Sequence, residues 1–185
     1  MAVPLLDLRL QYAQVKDDVQ SRMAALCDSQ QFILGAPVEE LEAAVRDYTG
    51  CGHAIGASSG TDALLAILMA MGIGRGDAVI TTPYTFFATA GCIQRVGAEP
   101  VFVDIDAATY NMDPARLEEC LRKKCRSGPD GRLLTAAGNR VRAIMPVHLF
   151  GCVCAMDRLG SLAKEFDLPV IEDAAQAIGA DYPSE

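Results

Sequence analysis

The sequence lacks an apolar run long enough to cross a lipid bilayer, because its longest one, residues 63–74, is short and interrupted by glycine. The first residues contain no basic cluster, no extended apolar core and no cleavage site, so we expect no secretory signal and a cytoplasmic protein. Positive charge is scarce as well: 16 Lys and Arg residues against 24 Asp and Glu residues give a net charge of −8. Since an acidic surface repels the phosphates of nucleic acids, we expect neither a membrane nor a nucleic acid as a partner.

The seven cysteines match no disulfide framework and no metal-binding framework. Their number is odd and their spacing is irregular, which favours reduced thiols. Cys152 and Cys154 lie near His148, but one intervening residue is too few for the usual zinc-binding pair, and no second pair matches it. We therefore expect no metal site. A glycine fingerprint for dinucleotides is also missing after every predicted strand, which argues against a nicotinamide-dependent dehydrogenase.

The sequence does contain a regular alternation of strands and helices. Of its 185 residues, 51% are hydrophobic, so a substantial buried core is expected. Residues 1–50 are predicted to form a helical segment, with helices over 10–27 and 37–48. From residue 51 onward, the predicted strands are 53–57, 77–81, 99–104, 141–147 and 168–172, and the predicted helices end at 71, 96, 125 and 166. This order favours an α/β fold, a three-layer sandwich with a mostly parallel central sheet.

Residues 126–140 interrupt this alternation within the predicted domain of residues 51–185. They contain a turn cluster at 127–131 and two adjacent leucines, Leu133 and Leu134, which predict one arm of a short hairpin. No residue type with an evident chemical role stands out among them. We therefore interpret this stretch as a solvated insertion.

A turn rich in small polar residues follows the strand predicted at 53–57. Ser58, Ser59, Gly60 and Thr61 lie where the backbone N–H groups and the positive end of a helix dipole are free to hold a phosphate. Gly60 permits a close approach to the backbone, and the hydroxyl groups add donors. The same residues are typical of an ordinary Ser/Thr helix cap, so the pattern alone leaves both interpretations open.

Two further strand ends carry side chains suited to a planar ligand. Phe86 and Phe87 follow the second predicted strand, where aromatic rings stack on a flat ligand or pack into the core. Asp173 ends the last predicted strand and is as suited to capping a helix as to contacting a ligand. Its neighbour Glu172 faces the opposite side of the strand, so we do not expect the two acids to share a role.

Together, the three strand ends offer phosphate donors, an aromatic face and an anion. A flat, phosphorylated, cationic heteroaromatic molecule uses all three, and pyridoxal phosphate fits that description. An acid beside its ring nitrogen favours the protonated ring, which makes the ring a stronger electron acceptor. The sequence therefore predicts pyridoxal 5'-phosphate as the cofactor.

Seven short blocks, including SGTDAL at 59–64 and VIEDAAQ at 170–176, lie in an ordered array. The other blocks are at 31–35, 53–56, 76–81, 97–104 and 146–149. In order and spacing they resemble the sugar-nucleotide aminotransferases of the DegT/StrS type, and the resemblance covers nearly the whole chain. It implies the N-terminal portion of such an enzyme. The implied fold is the large domain of a fold-type-I pyridoxal-phosphate transferase, incomplete here, with the C-terminal domain absent.

The resemblance implies six cofactor-binding residues: Ser59, Gly60, Thr61, Phe86, Asp173 and Gln176. Ser59, Gly60 and Thr61 are expected to hold the phosphate, and Phe86 is expected to stack on the pyridine ring. Asp173 is expected to pair with the ring nitrogen, and Gln176 is expected to lie beside the ring hydroxyl oxygen.

The resemblance also implies a reaction and its partners. The family moves an amino group, usually from glutamate, to a keto group of a nucleotide-linked sugar, and polysaccharide biosynthesis is an expected context. The implied partners are that keto sugar, glutamate and, in the intact protein, a second copy in a homodimer. The family's Schiff-base lysine belongs to a segment beyond Glu185. We therefore expect no catalytic lysine and no transamination from these 185 residues alone.

Two alternatives stay open at this point. Some relatives use the cofactor for sugar dehydration, with histidine in place of the lysine, and the deciding position lies beyond this sequence. The other alternative is a non-catalytic remnant that binds the cofactor or dimerises.

Overall fold

The chain divides into two units, Met1–Gly56 and Ala57–Glu185. A computed structural model describes residues 3–129 and 131–182. The boundary predicted at residue 50 lies within the first unit, and the role assigned to each segment stays a prediction. None of the helices formed by the described residues combines the length and the apolar content that spanning a bilayer requires.

The first unit contains two helices at the predicted positions, α1 (Arg9–Ser29) and α2 (Ala36–Thr49). Helix α2 ends at Gly50, whose φ of 70° is a left-handed conformation that glycine adopts without strain. Within these two residue ranges no side chain is buried, so the apolar side chains of α1 face solvent in this chain.

The strand predicted at 53–57 does not form, so this prediction was wrong. Two backbone groups there bond to side chains instead: Gly56 N donates to Glu42 Oε1 at 2.7 Å, and Cys51 Sγ donates to the carbonyl of His53 at 3.1 Å. No described strand pairs with this segment. A short apolar pattern is compatible with a strand, but pairing requires a free sheet edge that the local sequence cannot specify.

The second unit is an α/β arrangement around a mixed sheet. Its described strands are β1 (Asp77–Thr81), β2 (Glu99–Phe102), β3 (Arg126–Ser127), β4 (Leu133–Leu134) and β5 (Arg140–Ile144). Its described helices are α3 (Gly60–Ala70), α4 (Phe87–Arg95), α5 (Pro114–Glu119) and α6 (Met156–Glu165). The strand order is β2-β1-β5-β4-β3, and β1 runs parallel to both β2 and β5. The predicted parallel centre is confirmed.

Two hydrophobic layers enclose this sheet, as a three-layer sandwich requires. Helices α3 and α4 cover one face, where they pack against Val79 and Ala143 of the sheet and against Met145, the residue after β5. Helices α5 and α6 cover the other face, where they pack against sheet residues Ile80, Val141 and Ile144. The alternation of neighbouring residues between the layers follows from the period of two in a strand.

An extra residue in β5 adjusts that alternation. Ala78 and Val79 are adjacent in β1, but they pair with Val141 and Ala143, which leaves Arg142 as a β-bulge. The bulge lets Val141 face the same layer as the residue three positions later, although strict alternation would place them on opposite faces.

The insertion at 126–140 forms the predicted hairpin, since β3 and β4 pair antiparallel. It is not fully solvated, because Glu99 Oε2 accepts hydrogen bonds from Thr135 Oγ1 at 3.0 Å and from Asn139 Nδ2 at 2.8 Å. Thr135 is buried. The turn cluster predicted at 127–131 includes Asp130, which is outside the described residues.

Helix α5 begins at its predicted cap. Asp113 Oδ1 accepts a hydrogen bond from Ala115 N at 2.8 Å, and Pro114 occupies the first turn, where its missing N–H costs nothing. The helix continues as a π-helical turn over Cys120–Lys124. The predicted end near residue 125 is therefore confirmed.

The strand predicted at 168–172 is reduced to two isolated parallel bridges, Ile144 with Val170 and Val147 with Asp173. The predicted direction was right, but a continuous strand was wrong. Between the two bridges the partner segment contains Pro146, which has no N–H to donate to the Ile171 carbonyl, so the pairing remains discontinuous. The second bridge places Asp173 beyond the carboxyl end of β5.

Candidate functional site

A pocket of about 180 Å³ opens beyond the carboxyl ends of the parallel strands. Five of the six predicted site residues line it: Gly60, Thr61, Phe86, Asp173 and Gln176. They come from the start of α3, the segment after β1 and the segment that bridges to β5. Such a crevice is where open α/β sheets bind ligands.

The first turn of α3 leaves two backbone donors free on the pocket wall. Ser59 Oγ accepts from Asp62 N at 3.1 Å, and Ser59 O accepts from Ala63 N at 2.9 Å. The N–H groups of Gly60 and Thr61 have no acceptor among the residues that the structure describes. Ser59 therefore caps the helix, while the next two residues keep free donors, so a phosphate-binding role of the turn stays a prediction. A phosphate role for Ser59, which is not a lining residue, stays a prediction.

Asp62 is turned toward the cap rather than toward the pocket. Its carboxylate accepts hydrogen bonds from the hydroxyls of Ser58 and Ser59. Both bonds lower the pKa of the Asp62 carboxyl, and the bond from Ser58 has the larger effect. Gly60 lies close to the opposite wall, because a Cβ at this position would lie 3.3 Å from Ala175 Cβ. A side chain there would narrow the pocket beside the free donors.

Asp173 presents a buried carboxylate to the pocket and is only 8% exposed. Thr89 Oγ1 donates to its Oδ2 at 2.7 Å, and Ala175 N donates to its Oδ1 at 3.4 Å. Since the Thr89 hydrogen is used in this way, Thr85 Oγ1 donates to Thr89 Oγ1 at 2.8 Å. No helix follows within residues 174–182, so the helix-cap interpretation of Asp173 was wrong.

The carboxylate of Asp173 has no counterion among the residues that the structure describes. No Lys, Arg or His of the described part of the chain forms an ion pair with Asp173. A buried and unpaired carboxylate is unfavourable unless a cation or further donors reach it. The pocket beside it is the space from which such a group would approach.

Phe86 is 73% exposed on the pocket wall, and Phe87 is also exposed. The core-packing interpretation of these two rings was therefore wrong. Phe86 is the residue before α4 and has an extended backbone, so it lies outside the helix that follows it. Stacking on a ligand stays a prediction.

Gln176 and His148 complete the far side of the pocket. Gln176 Oε1 accepts from Phe150 N at 2.9 Å. His148 is buried, and its Nε2 lies 2.8 Å from Glu172 Oε2. Glu172 therefore points away from Asp173, as the alternation along the strand predicted. The sequence drew attention to His148 only beside Cys152 and Cys154, and it offered no local signal for the His148–Glu172 or Thr89–Asp173 contacts, because the partners lie 24 and 84 residues apart.

Known proteins resemble this chain along nearly its whole length. A model of the DegT/DnrJ/EryC1/StrS aminotransferase family matches residues 13–185. The pleiotropic regulatory protein of Geobacillus stearothermophilus is 46% identical over 182 residues, which is 98% of this chain and 45% of that protein. The UDP-2-acetamido-2-deoxy-3-oxo-D-glucuronate aminotransferase of Pseudomonas aeruginosa is 39% identical over 180 residues, 97% of this chain and 46% of that protein. The chain thus spans about half the length of these curated relatives.

Solved structures resemble the fold as well. A DegT/DnrJ/EryC1/StrS aminotransferase from Brucella abortus matches with a TM-score of 0.86 and 37% identity, over 96% of this chain and 45% of its own. NtdA from Bacillus subtilis, solved with bound cofactor PMP, matches with a TM-score of 0.81 and 30% identity, over 96% of this chain and 37% of its own. These matches confirm the fold-type-I architecture predicted from the sequence. The chain belongs to the DegT/DnrJ/EryC1/StrS aminotransferase family.

Proposed function

We propose that the intact protein is a pyridoxal-phosphate-dependent aminotransferase that moves an amino group from glutamate to a keto group of a nucleotide-linked sugar. Family membership supports the reaction class. The name of the Pseudomonas aeruginosa relative, a UDP-linked 3-oxo-sugar aminotransferase, supports the class of acceptor. Because this chain spans about half of such relatives, the proposal concerns the whole protein.

The unpaired carboxylate of Asp173 is the observation that carries the proposal. It is buried, faces the pocket and has hydroxyl and backbone donors but no cation among the described residues. A protonated pyridine nitrogen supplies the missing positive charge, and the negative carboxylate in turn favours that protonated form. Thr89 holds Oδ2 of this carboxylate and so limits the orientations that the acid can adopt.

The rest of the pocket fits the same molecule. The free N–H groups of Gly60 and Thr61 stand at a helix N-terminus, which suits a phosphate. The exposed ring of Phe86 offers an apolar face for a flat heterocycle. When bound, pyridoxal phosphate supplies an aldehyde that carries the amino group and a ring that accepts electrons. The described residues bind its phosphate, cover its ring and hold the proton at its ring nitrogen.

A homodimer is part of the proposal. Exposed apolar side chains are concentrated in the first unit, including Phe32, Ile33 and Leu34, each at least 60% exposed. Contiguous exposed apolar surface is typical of protein–protein contacts. Size-exclusion chromatography with light scattering on the intact protein tests this part, and a monomer at micromolar concentration would contradict it.

The cofactor and the reaction are tested together on the intact protein. We expect a visible absorbance band on addition of pyridoxal phosphate, and its loss on addition of glutamate. Asp173→Asn should lower kcat/KM with a UDP-linked keto sugar by at least about 100-fold, which corresponds to about 2.7 kcal/mol of transition-state stabilisation. Asp104→Asn is the matched control, since this exposed acid follows a neighbouring strand outside the pocket. Equal activity of the two variants would refute the role of Asp173.

A further inference from the structure

Both ring nitrogens of His148 are engaged by the protein. Cys154 N–H donates to Nδ1 at 3.2 Å, so Nδ1 carries no proton. Nε2 therefore carries the hydrogen and donates it to Glu172 Oε2 at 2.8 Å. The ring lines the pocket but has no nitrogen left for a ligand. Any hydrogen-bonding effect of His148 on a ligand therefore passes through the groups that it holds.

The turn after His148 is strained. Within the 3₁₀ turn Leu149–Gly151, Phe150 has φ 56° and ψ 23°, a left-handed conformation that costs a bulky residue roughly 1–2 kcal/mol. Such a conformation persists only where surrounding contacts fix it. The contacts are at the far side of the turn, where His148 Nδ1 binds Cys154 N and Asn111 Nδ2 donates to the carbonyl of Cys152 at 2.8 Å.

The strained residue makes one hydrogen bond to the pocket. Phe150 N–H donates to Gln176 Oε1 at 2.9 Å. Because a backbone N–H requires an acceptor, this bond fixes which end of the amide is the oxygen. The NH₂ group of Gln176 is then the end available to a ligand, and it is a hydrogen-bond donor.

We propose that His148 is a positioning residue that fixes the 149–153 turn, so that Phe150 holds the Gln176 amide with its NH₂ group toward the cofactor's ring oxygen. The inference rests on the proposed function. It assigns to the buried His148 and its exposed partner Glu172 the selection of a ligand that carries an oxygen at that ring position. A role in general packing alone predicts no such selection.

Two substitutions separate the contacts of His148. In His148→Asn the side-chain oxygen replaces Nδ1 and still accepts from Cys154 N–H. In His148→Gln the amide replaces Nε2, reaches Glu172 and leaves Cys154 N–H without its acceptor. We measure dissociation constants of the intact protein for pyridoxal phosphate and for 3-deoxypyridoxal phosphate, which lacks the ring hydroxyl.

The wild type should bind pyridoxal phosphate about tenfold more tightly than the deoxy analogue, as one charge-assisted hydrogen bond allows. His148→Gln should lose this preference while its affinity for the analogue stays within about twofold. His148→Asn keeps the Cys154 contact but lacks the Glu172 contact, so it should restore a preference of about threefold. Gln176→Ala should abolish the preference, with no further loss when combined with His148→Gln.

Equal weakening of both compounds by His148→Gln would overturn the inference and leave the proposed function intact. Binding of neither compound by the wild type would overturn both. Glu172→Ala gives a second variant that changes an exposed side chain, so it does not depend on a buried substitution. It frees Nε2 and should reduce the preference about threefold. An unchanged preference in this variant contradicts the proposal.

Discussion

The hydroxyl of Thr89 on α4 donates to Asp173 Oδ2 at 2.7 Å, across 84 residues of sequence. Thr89 is fully buried, and its hydroxyl in turn accepts a hydrogen bond from the hydroxyl of Thr85. Each of these bonds has its direction fixed by the carboxylate, which only accepts. The helix therefore sets the orientation of the acid that faces the pocket.

Thr89→Val removes this donor but keeps the shape of the side chain. The buried carboxylate then retains only the long bond from Ala175 N, so we expect the free energy of unfolding to fall by about 1–3 kcal/mol. Thr89→Ser keeps the hydroxyl and should retain most of the stability. Urea denaturation of both variants measures the difference, and equal midpoints for the two would contradict the role of the hydroxyl.

Gly60→Ala should weaken the binding of pyridoxal phosphate by about tenfold, because the added methyl group would lie 3.3 Å from Ala175 Cβ beside the free donors. Gly160→Ala is the control. Its Cβ has no atom within 4 Å, and it lies inside α6, so stability should rise by about 0.5–1 kcal/mol with binding unchanged. An absorbance titration measures the affinity for pyridoxal phosphate, and urea denaturation measures the free energy of unfolding. Unchanged cofactor affinity in Gly60→Ala would remove this glycine from the site.

Stability should decline at alkaline pH because of Cys154. Burial raises the pKa of this thiol from its ordinary value of 9.0 to about 11. The unfolded chain ionises first, so the stabilising contribution is complete below pH 9 and is lost as the pH rises to 11. The expected loss is about 2–3 kcal/mol. Urea unfolding at pH 8 and pH 11 should show this extra decline in the wild type, and Cys154→Ala should lack it. Parallel declines in the two proteins would assign the effect to other groups.

Asp113→Ala should lower the free energy of unfolding by about 1 kcal/mol, because it removes the side-chain acceptor that caps α5. Asp113→Ser keeps an acceptor at the same place and should stay within a few tenths of a kcal/mol of the wild type. Thermal unfolding followed by circular dichroism compares them. If the alanine and serine variants melt together, the cap makes no net contribution.

The elements that the sequence predicted well are those whose local pattern and burial agree. Strand β1 has its predicted bounds because every residue after Asp77 is buried on both faces, which an apolar run signals directly. The two strand predictions that were wrong concern segments that do not pair continuously with a neighbouring strand. The segment at 53–57 has a strand-like pattern but no partner, and the segment at 168–172 pairs at only two points.

The candidate site shows the same division. Gly60 and Thr61 begin α3, and Asp173 follows the segment that bridges to β5. The alternating order of elements predicted that they converge, although the strand predicted before Gly60 does not form. His148 and Thr89 became evident only in three dimensions, because a buried hydrogen bond across many residues leaves no periodic signal. The pyridoxal-phosphate prediction is supported by the PMP-bound structural relative.

The bulge at Arg142 has a consequence for recombining this chain with its relatives. Its one additional residue determines which face of the sheet each side chain points to, from β5 to Val147 on the pocket wall. A chimera that crosses over inside β5 with a parent of different residue count would exchange inward and outward positions downstream. Such a hybrid would keep every hydrophobic residue, but the side chains that should line the pocket would face the opposite side of the sheet. Crossover points therefore belong before residue 140 or after residue 148.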